Sequence, residues 1–343
     1  MMTTQDTGMG FSLYRYQLPL TKPLPLGQQR IHNREGLILH IDALQQSVEI
    51  APLPSFSKES LDDCINSLQQ LLSTVPMEAL SPSSSQSSSQ NLAQWMTPFK
   101  SAPNSVQFGL SLLWLKCNDL LPARPNRNRQ PLLFGETEQL AQQLSQLPEE
   151  TKIVKLKVGP DIHGSVANIY QVIEARPQLK LRLDANQSLS LEQAQVLYAM
   201  IPKANIDYVE EPCARVEDAQ QLYQEYGIRY AQDESLLQTE DYQPHPGLAA
   251  VVLKPSLLGS IEVLEKFAEQ AQAEGVEVVI SSAFESSFGI HDLACLANHY
   301  APLGYPGLDT LNHHQADLLQ PSLYGSPESP AKPLLTLNEL SLI

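Results

Sequence analysis

The chain has 343 residues, 42% of them hydrophobic, which is more than one (β/α)₈ barrel of roughly 250 residues needs and leaves room for a second domain. A formal charge of −16 and a pI near 4.9 exclude the basic face that a nucleic-acid or anionic-membrane partner would require. The opening residues carry no secretory signal and no run approaches the ~18 apolar residues of a membrane span, so a cytoplasmic protein acting on a small molecule is expected, its oligomeric state open.

Residues 11–50 contain strand-like stretches, FSLYRYQLPL, GLILHI and SVEIAPL, with a proline-rich loop over 21–27 between the first two. Beyond Ser57, read as an N-cap, Leu61, Cys64, Ile65, Leu68, Leu71 and Leu72 keep helical spacing, and a second helix is expected from Ser105 to Leu120. Residues 1–125 therefore read as an α+β capping domain. Between the helices the serine-rich run 81–90 lacks apolar anchors and reads as a flexible insertion. Cys64, Cys117, Cys213 and Cys295 are scattered without a C-x-x-C pair, which indicates reduced thiols rather than disulfides or zinc.

From Pro131 the pattern becomes an alternation of short apolar runs and amphipathic helices. PLLFGE, KIVKLKVG, KLRLDA, IDYVEEP, IRYAQDES, AAVVLKP, EVVISSA and GLDT fill eight strand slots, and helices are expected near 137–147, 164–176, 190–201, 216–226, 260–274 and 289–299. The domain assigned to 126–320 is thus a TIM-type (β/α)₈ barrel of the α/β class, with 321–343 expected to pack back on the capping domain. Lys157, Asp184, Glu210, Asp233, Lys254 and Ser281 fall at or near successive strand ends, at intervals of 27, 26, 23, 21 and 27 residues. The C-terminal ends of barrel strands converge on one face, so all six are expected at one mouth. Three carboxylates between two lysine-bearing strands describe a site for a hard divalent cation, Mg²⁺ with Mn²⁺ as the alternative, flanked by two candidate bases.

Lys155-Leu156-Lys157, Leu183-Asp184-Ala185-Asn186, Glu210-Glu211-Pro212, Asp233-Glu234-Ser235 and the run Lys254 to Ser260 together resemble the enolase superfamily, in its muconate-lactonizing subgroup. Residues 51–57, the run SSAFESSFG over 281–289 and PGLDT over 306–310 make the chain most similar to the o-succinylbenzoate synthase family of menaquinone biosynthesis. That resemblance implies a syn dehydration of 2-succinyl-6-hydroxy-2,4-cyclohexadiene-1-carboxylate to o-succinylbenzoate. By the same resemblance Asp184, Glu210 and Asp233 match the metal ligands. Lys157 matches the base that removes the α-proton, and Lys254 matches a cation lying over the flat enolate.

Lys155, two residues before Lys157 and on the same side of the strand, would disfavour a second charge there. Asn186, Glu211 and Glu234 are expected to orient the ligands through hydrogen bonds. Ser281 and Ser282, the helix start over 285–289, and Gly259 with Ser260 at the preceding helix start are candidate cradles for the succinyl carboxylate. Arg34 and the proline-rich loop are expected to close the site from above. His313 and His314 are read as surface or packing residues. Two other readings use the same residues: racemisation or epimerisation of an N-acylamino acid or dipeptide by a lysine on each face, and a non-catalytic binding barrel. Leu308-Asp309-Thr310 stands where dipeptide epimerases carry an Asp-x-Asp pair, which favours the dehydratase.

Overall fold

The computed structural model describes residues 10–27, 29–72, 80, 87–135, 137–239, 242–318, 334–335 and 340–343. Two long antiparallel strands open the chain, β1 (Phe11–Leu26) and β2 (Gln29–Ile41), and β3 (Gln46–Ile50) pairs with the far edge of β2. The proline-rich stretch expected as a loop belongs to β1. Its register shifts between Pro19 and Leu24, and on the other edge the described residues pair with it only around Pro19 and Leu20, so that Pro23 and Pro25 lie where a residue without an N–H is tolerated. Gly27 follows β1 as a turn residue, and its φ of 57° suits glycine.

Helix α1 (Leu61–Leu72) buries Cys64, Leu68 and Leu72, as the spacing predicts. Its cap is Ser60 rather than Ser57: Ser60 Oγ accepts from Asp63 N at 3.2 Å, while Ser57 Oγ is taken by Leu53 N at 2.9 Å in a preceding turn. The end of the serine-rich run is helical. Ser87 and Gln90 form a capping box that starts α2 (Ser88–Met96), anchored by buried Leu92, Trp95 and Met96. Residues 81–86 of that run lie outside the described residues. Helix α3 (Asn104–Cys117) is buried on nearly all sides between β3 and the barrel, and Trp114 is 1% exposed.

Seven parallel strands curl in sequence order: β4 (Leu132–Leu133), β5 (Ile153–Lys157), β6 (Lys180–Asp184), β7 (Ile206–Glu210), β8 (Tyr230–Gln232), β9 (Leu248–Leu253) and β10 (Glu277–Ile280). The eighth slot is reduced to a bridge between Ser281 and Gly307, and a side chain completes the closure: Asp309 accepts from Leu132 N at 3.1 Å. The chain is a TIM barrel with an N-terminal cap.

The helices after the strands are α4 (Thr137–Ser145), α5 (Ile162–Ala175), α6 (Leu191–Met200), α7 (Val216–Tyr226), the short α8 (Pro255–Leu258), α9 (Ile261–Ala273) and α10 (Ser287–Tyr300); all but α8, which is not among the expected helices, lie close to the expected positions. After β8 only a 3₁₀ turn, Glu234–Gln238, is found among the described residues. A two-residue strand, Ser341–Leu342, returns to pair with Tyr14 and Arg15 of β1. One continuous apolar core joins Trp95, Phe99 and Trp114 of the cap to Leu253, Leu264 and Phe267 of the barrel. Each such Leu or Phe contributes about 1.5–3 kcal/mol by leaving water. Among the described residues no helix is long and apolar enough to cross a membrane.

Candidate active site

Parallel pairing sets Lys157 beside Asp184 and Asp184 beside Glu210 in register, so strand alternation turns all three toward the barrel axis at its C-terminal mouth. Lys157 Nζ donates to Asp184 at 2.6 Å and also to Asn186 Oδ1. Lys155 Nζ lies 2.8 Å from Asp184 and 2.7 Å from Glu210, so these two carboxylates are spaced to share one cation. On the far side Lys254 donates to Asp233. The carboxylates of Asp184, Glu210 and Asp233 are all at most 2% exposed, whereas the Lys157 side chain is 41% exposed. The mouth is therefore a buried anionic floor with one accessible amine.

Burial sets the electrostatics, and the neighbours decide its sign. Burial alone would drive the Lys155 amine toward neutrality, but the charges of Asp184, Glu210 and Asp233 outweigh it and hold the ammonium well above the usual lysine range. Lys254 behaves alike, with Asp233 and Glu234 prevailing over burial. For Asp184 burial opposes ionisation, yet two ammoniums, Lys155 and Lys157, hold its carboxyl below the ordinary range. Glu210 shares only Lys155 closely, so burial and then the Asp184 charge raise it; burial likewise raises Asp233 and Glu234.

The expected supporting residues form a hydrogen-bonded collar. Asn186 N donates to Asp184 at 3.0 Å and its amide to Glu234 at 2.8 Å. Glu211 accepts from Asp233 N at 2.7 Å, from Ser235 N at 2.8 Å and from Gln187 Nε2 at 3.0 Å, which ties together the loops after β6, β7 and β8. Asn186, Gln187 and Glu211 have φ of 43°, 60° and 41°, a left-handed conformation costing on the order of 1–3 kcal/mol each in non-glycine residues. Three of the seven left-handed non-glycine residues described therefore lie at the site.

The candidate cradles are placed differently. Ser281 Oγ donates to Gly307 O at 3.1 Å and Ser282 Oγ pairs with Thr310 Oγ1 at 2.9 Å, so both hydroxyls seal the seam to the eighth segment. The start of α10 already holds a carboxyl group from the cap: Glu49 of β3 accepts from Ser286 N at 3.0 Å and Gly289 N at 2.8 Å, and from Tyr16 OH. A Cβ on Gly289 would meet Glu49 Oε2 at 2.6 Å, so this approach requires glycine. Asp317 takes Ser287 N at 2.8 Å.

Gly259 and Ser260 form the turn from α8 to α9, where Ser260 Oγ donates to Glu262 and the first N–H of α9 is capped by Ser111 of α3 at 3.0 Å. The physical reason is shared by both sites. Docking of the cap buries these helix starts, and their orphan N–H groups take partners from the cap itself. Arg34 is likewise internal, 1% exposed, and donates to five carbonyls, among them Ala51, Pro52, Ala283 and Phe284, rather than closing the site from above. His314 is fully buried packing and His313 lies against the rings of Phe134 and Phe284.

Sequence reasoning missed Glu49 and Arg34 as tethers, Arg182 at the base of the barrel and Glu285 behind the mouth. A signal was present for two of them: Glu49 stands within the apolar run SVEIAPL, and Arg182 alternates with Asp184 on β6.

All-oxygen ligands on three neighbouring strands, two of them already spanning one cationic nitrogen, fit a divalent metal. Among the described residues no three such groups are placed to hold a metal as they stand, and Asp233 is paired with Lys254.

Residues 138–323 match the family described as Enolase C-terminal domain-like, and residues 9–116 match MenC, N-terminal domain. An o-succinylbenzoate synthase of Yersinia pseudotuberculosis is 35% identical over 97% of this chain and 98% of its own length. Among solved structures, the o-succinylbenzoate synthase of Thermosynechococcus elongatus, complexed with Mg in the active site, superposes with a TM-score of 0.68 at 23% identity, covering 91% of this chain and 96% of that one. The L-Ala-D/L-Glu epimerase of Bacillus subtilis superposes with a TM-score of 0.72 at 20% identity, covering 90% and 91%. At these identities the structures report the fold.

Proposed function

We infer the chemistry of this chain from the family to which it belongs, the o-succinylbenzoate synthases of the enolase superfamily, a membership carried by similarity along nearly the whole chain. It is a lyase that dehydrates 2-succinyl-6-hydroxy-2,4-cyclohexadiene-1-carboxylate to o-succinylbenzoate. Loss of the α-proton leaves a dianionic enediolate, so positive charge must be assembled before the proton moves. Asp184, Glu210 and Asp233 would hold the divalent metal, Mg²⁺ by the chemistry of its ligands, and when bound it supplies that charge against the substrate carboxylate.

Lys157, the accessible amine of the mouth, takes the α-proton in its neutral form, after its ammonium has given up a proton to solvent. The resulting ammonium then gives a proton to the hydroxide that leaves from the same face, so the C–H and C–O bonds break, water departs and the ring becomes aromatic. Asn186 and Asp184 hold the Lys157 nitrogen in place through the two bonds it makes to them. Lys254, kept charged by Asp233 and Glu234, faces the enediolate from the sixth strand and stabilises it without moving a proton. Asp309, the eighth-strand carboxylate, is committed to Leu132 N in the barrel wall, which favours dehydration over the epimerase reading.

The test is incubation of the protein with the dihydro substrate and Mg²⁺, with the aromatic product followed by ultraviolet absorbance and an N-succinylamino acid assayed in parallel. Metal-dependent aromatisation, abolished by chelator and restored by Mg²⁺, is expected. Turnover of the N-succinylamino acid with no aromatic product would replace the dehydratase by a racemase, and full activity in chelator would remove the metal.

A further inference from the structure

Lys254 is the N-cap of α8, a helix of four residues, and its carbonyl accepts from both Leu257 N at 3.0 Å and Leu258 N at 3.1 Å. A helix this short has no stability of its own, so its orientation, and with it the backbone from which the Lys254 side chain departs, is set by what holds it from outside. Two groups do so. From the cap, Asn104 Nδ2 donates to Leu257 O at 2.8 Å. From the barrel, Glu285 Oε1 accepts from Ser256 Oγ at 2.7 Å, while its other oxygen accepts from Ala283 N at 2.5 Å. Ser256 and Glu285 are each 3% exposed, so water does not compete for these bonds.

We propose that Glu285 is a positioning residue for Lys254, acting through Ser256, an inference that rests on the assignment of Lys254 to the catalytic mouth. Glu285 itself is fixed from behind: the next residue, Ser286, is bonded through N and Oγ to Glu49 of the cap, and Arg34 donates to Ala283 O and Phe284 O on its other side. The loop after β10 is thereby made rigid. Its carboxylate transmits that rigidity across one hydroxyl to the helix that carries Lys254. The group touches no reacting atom; it limits how far the ammonium can drift from the enediolate, and misplacement of about 1 Å lowers turnover by as much as ~10²-fold.

Steady-state kinetics of Ser256→Ala, Glu285→Ala and Glu285→Gln, alone and combined with Lys254→Ala, test the proposal. Ser256→Ala, a single hydroxyl removed, is expected to lower kcat about tenfold with KM little changed, and Glu285→Ala to lower it up to ~10²-fold. Glu285→Gln should recover part of the loss, because an amide oxygen serves Ala283 N and its NH₂ can donate to a rotated Ser256 hydroxyl. In the Lys254→Ala background both alanine variants should cost no further kcat, since there is no ammonium left to position.

Losses that repeat in full in that background would reduce Glu285 to general structural support and overturn the proposal. So would wild-type kcat in Ser256→Ala, a variant that remains informative if Glu285→Ala does not fold. Wild-type turnover in Lys254→Ala alone would instead remove the assignment of Lys254, and the positioning role with it.

Discussion

At the base of the barrel Arg182 faces Asp207 and Glu277, whereas at the mouth Lys155, Lys157 and Lys254 face Asp184, Glu210 and Asp233. Arg182 stands two residues before Asp184 on β6, while Asp207 and Glu277 stand at the starts of β7 and β10. At the base the guanidinium, 2% exposed, makes five contacts, to Asp207, Gln130, Tyr305 O and both oxygens of Glu277, and lies over the Tyr208 ring at 4.7 Å. Its donors are satisfied and its backbone is ordinary. At the mouth three cations sit on a buried acidic floor, one amine opens outward, and the loops behind it carry left-handed residues at Asn186, Gln187 and Glu211. A buried charge cluster alone is therefore a plug. What distinguishes a site is an accessible, movable charge held against strain that the surrounding structure must support.

That contrast breaks first at Lys157. Lys157→Ala should lower dehydration by the ~10²–10⁴-fold typical of a general acid–base group while leaving the denaturation midpoint nearly unchanged, since the side chain is 41% exposed. Lys157→Arg should not restore activity, because a guanidinium cannot act as the base. Near-normal turnover in Lys157→Ala would place the base elsewhere.

Arg182→Ala should do the opposite. Leaving Glu277 without this cation and Asp207 with Arg229 alone should destabilise the fold by about 3 kcal/mol, read from urea unfolding, while kcat per folded molecule stays near that of the unmodified chain. A kcat loss on the scale of Lys157→Ala would make the base part of the site and dissolve the distinction.

The smallest effect is expected at Asp309, on the seam between the last strand and the first. Burial raises its carboxyl, with Leu132 N and Arg129 opposing. A raised folded value means that the unfolded chain ionises first as pH increases. Stability from this group is then full below the unfolded value of about 3.9 and declines until the folded group ionises as well. Asp309→Asn keeps the acceptor for Leu132 N and should flatten that decline in a series of melting temperatures against pH. An unaltered slope would show that Asp309 does not titrate in this window.

Local patterns carried much of the architecture. Helical spacing of Leu61, Cys64, Leu68 and Leu72, and the apolar runs ending in Lys157, Asp184, Glu210 and Lys254, are legible because each element buries one face with a fixed period. The site was legible for the same reason: at a strand end in a closed barrel, position in the sequence nearly equals position in space. Propensity penalises proline and so predicts a loop for the proline-rich arm, while pairing with β2 lets it remain a strand. The end of the serine-rich run was read as loop because composition outweighed the capping box at Ser87 and Gln90.

By itself the sequence determined which chemical groups exist and, through strand period, which of them share the mouth. Only the tertiary structure decided what the remaining polar groups do. Glu49, Arg34 and Ser111 reach partners 240, 250 and 150 residues away across the contact between cap and barrel, Glu285 meets Ser256 29 residues away within the barrel, and no local period encodes such a pairing. Helix starts that an open barrel would offer to a substrate carboxylate are filled by the cap because buried N–H groups must be satisfied, and the nearest acceptors are those that docking brings to them.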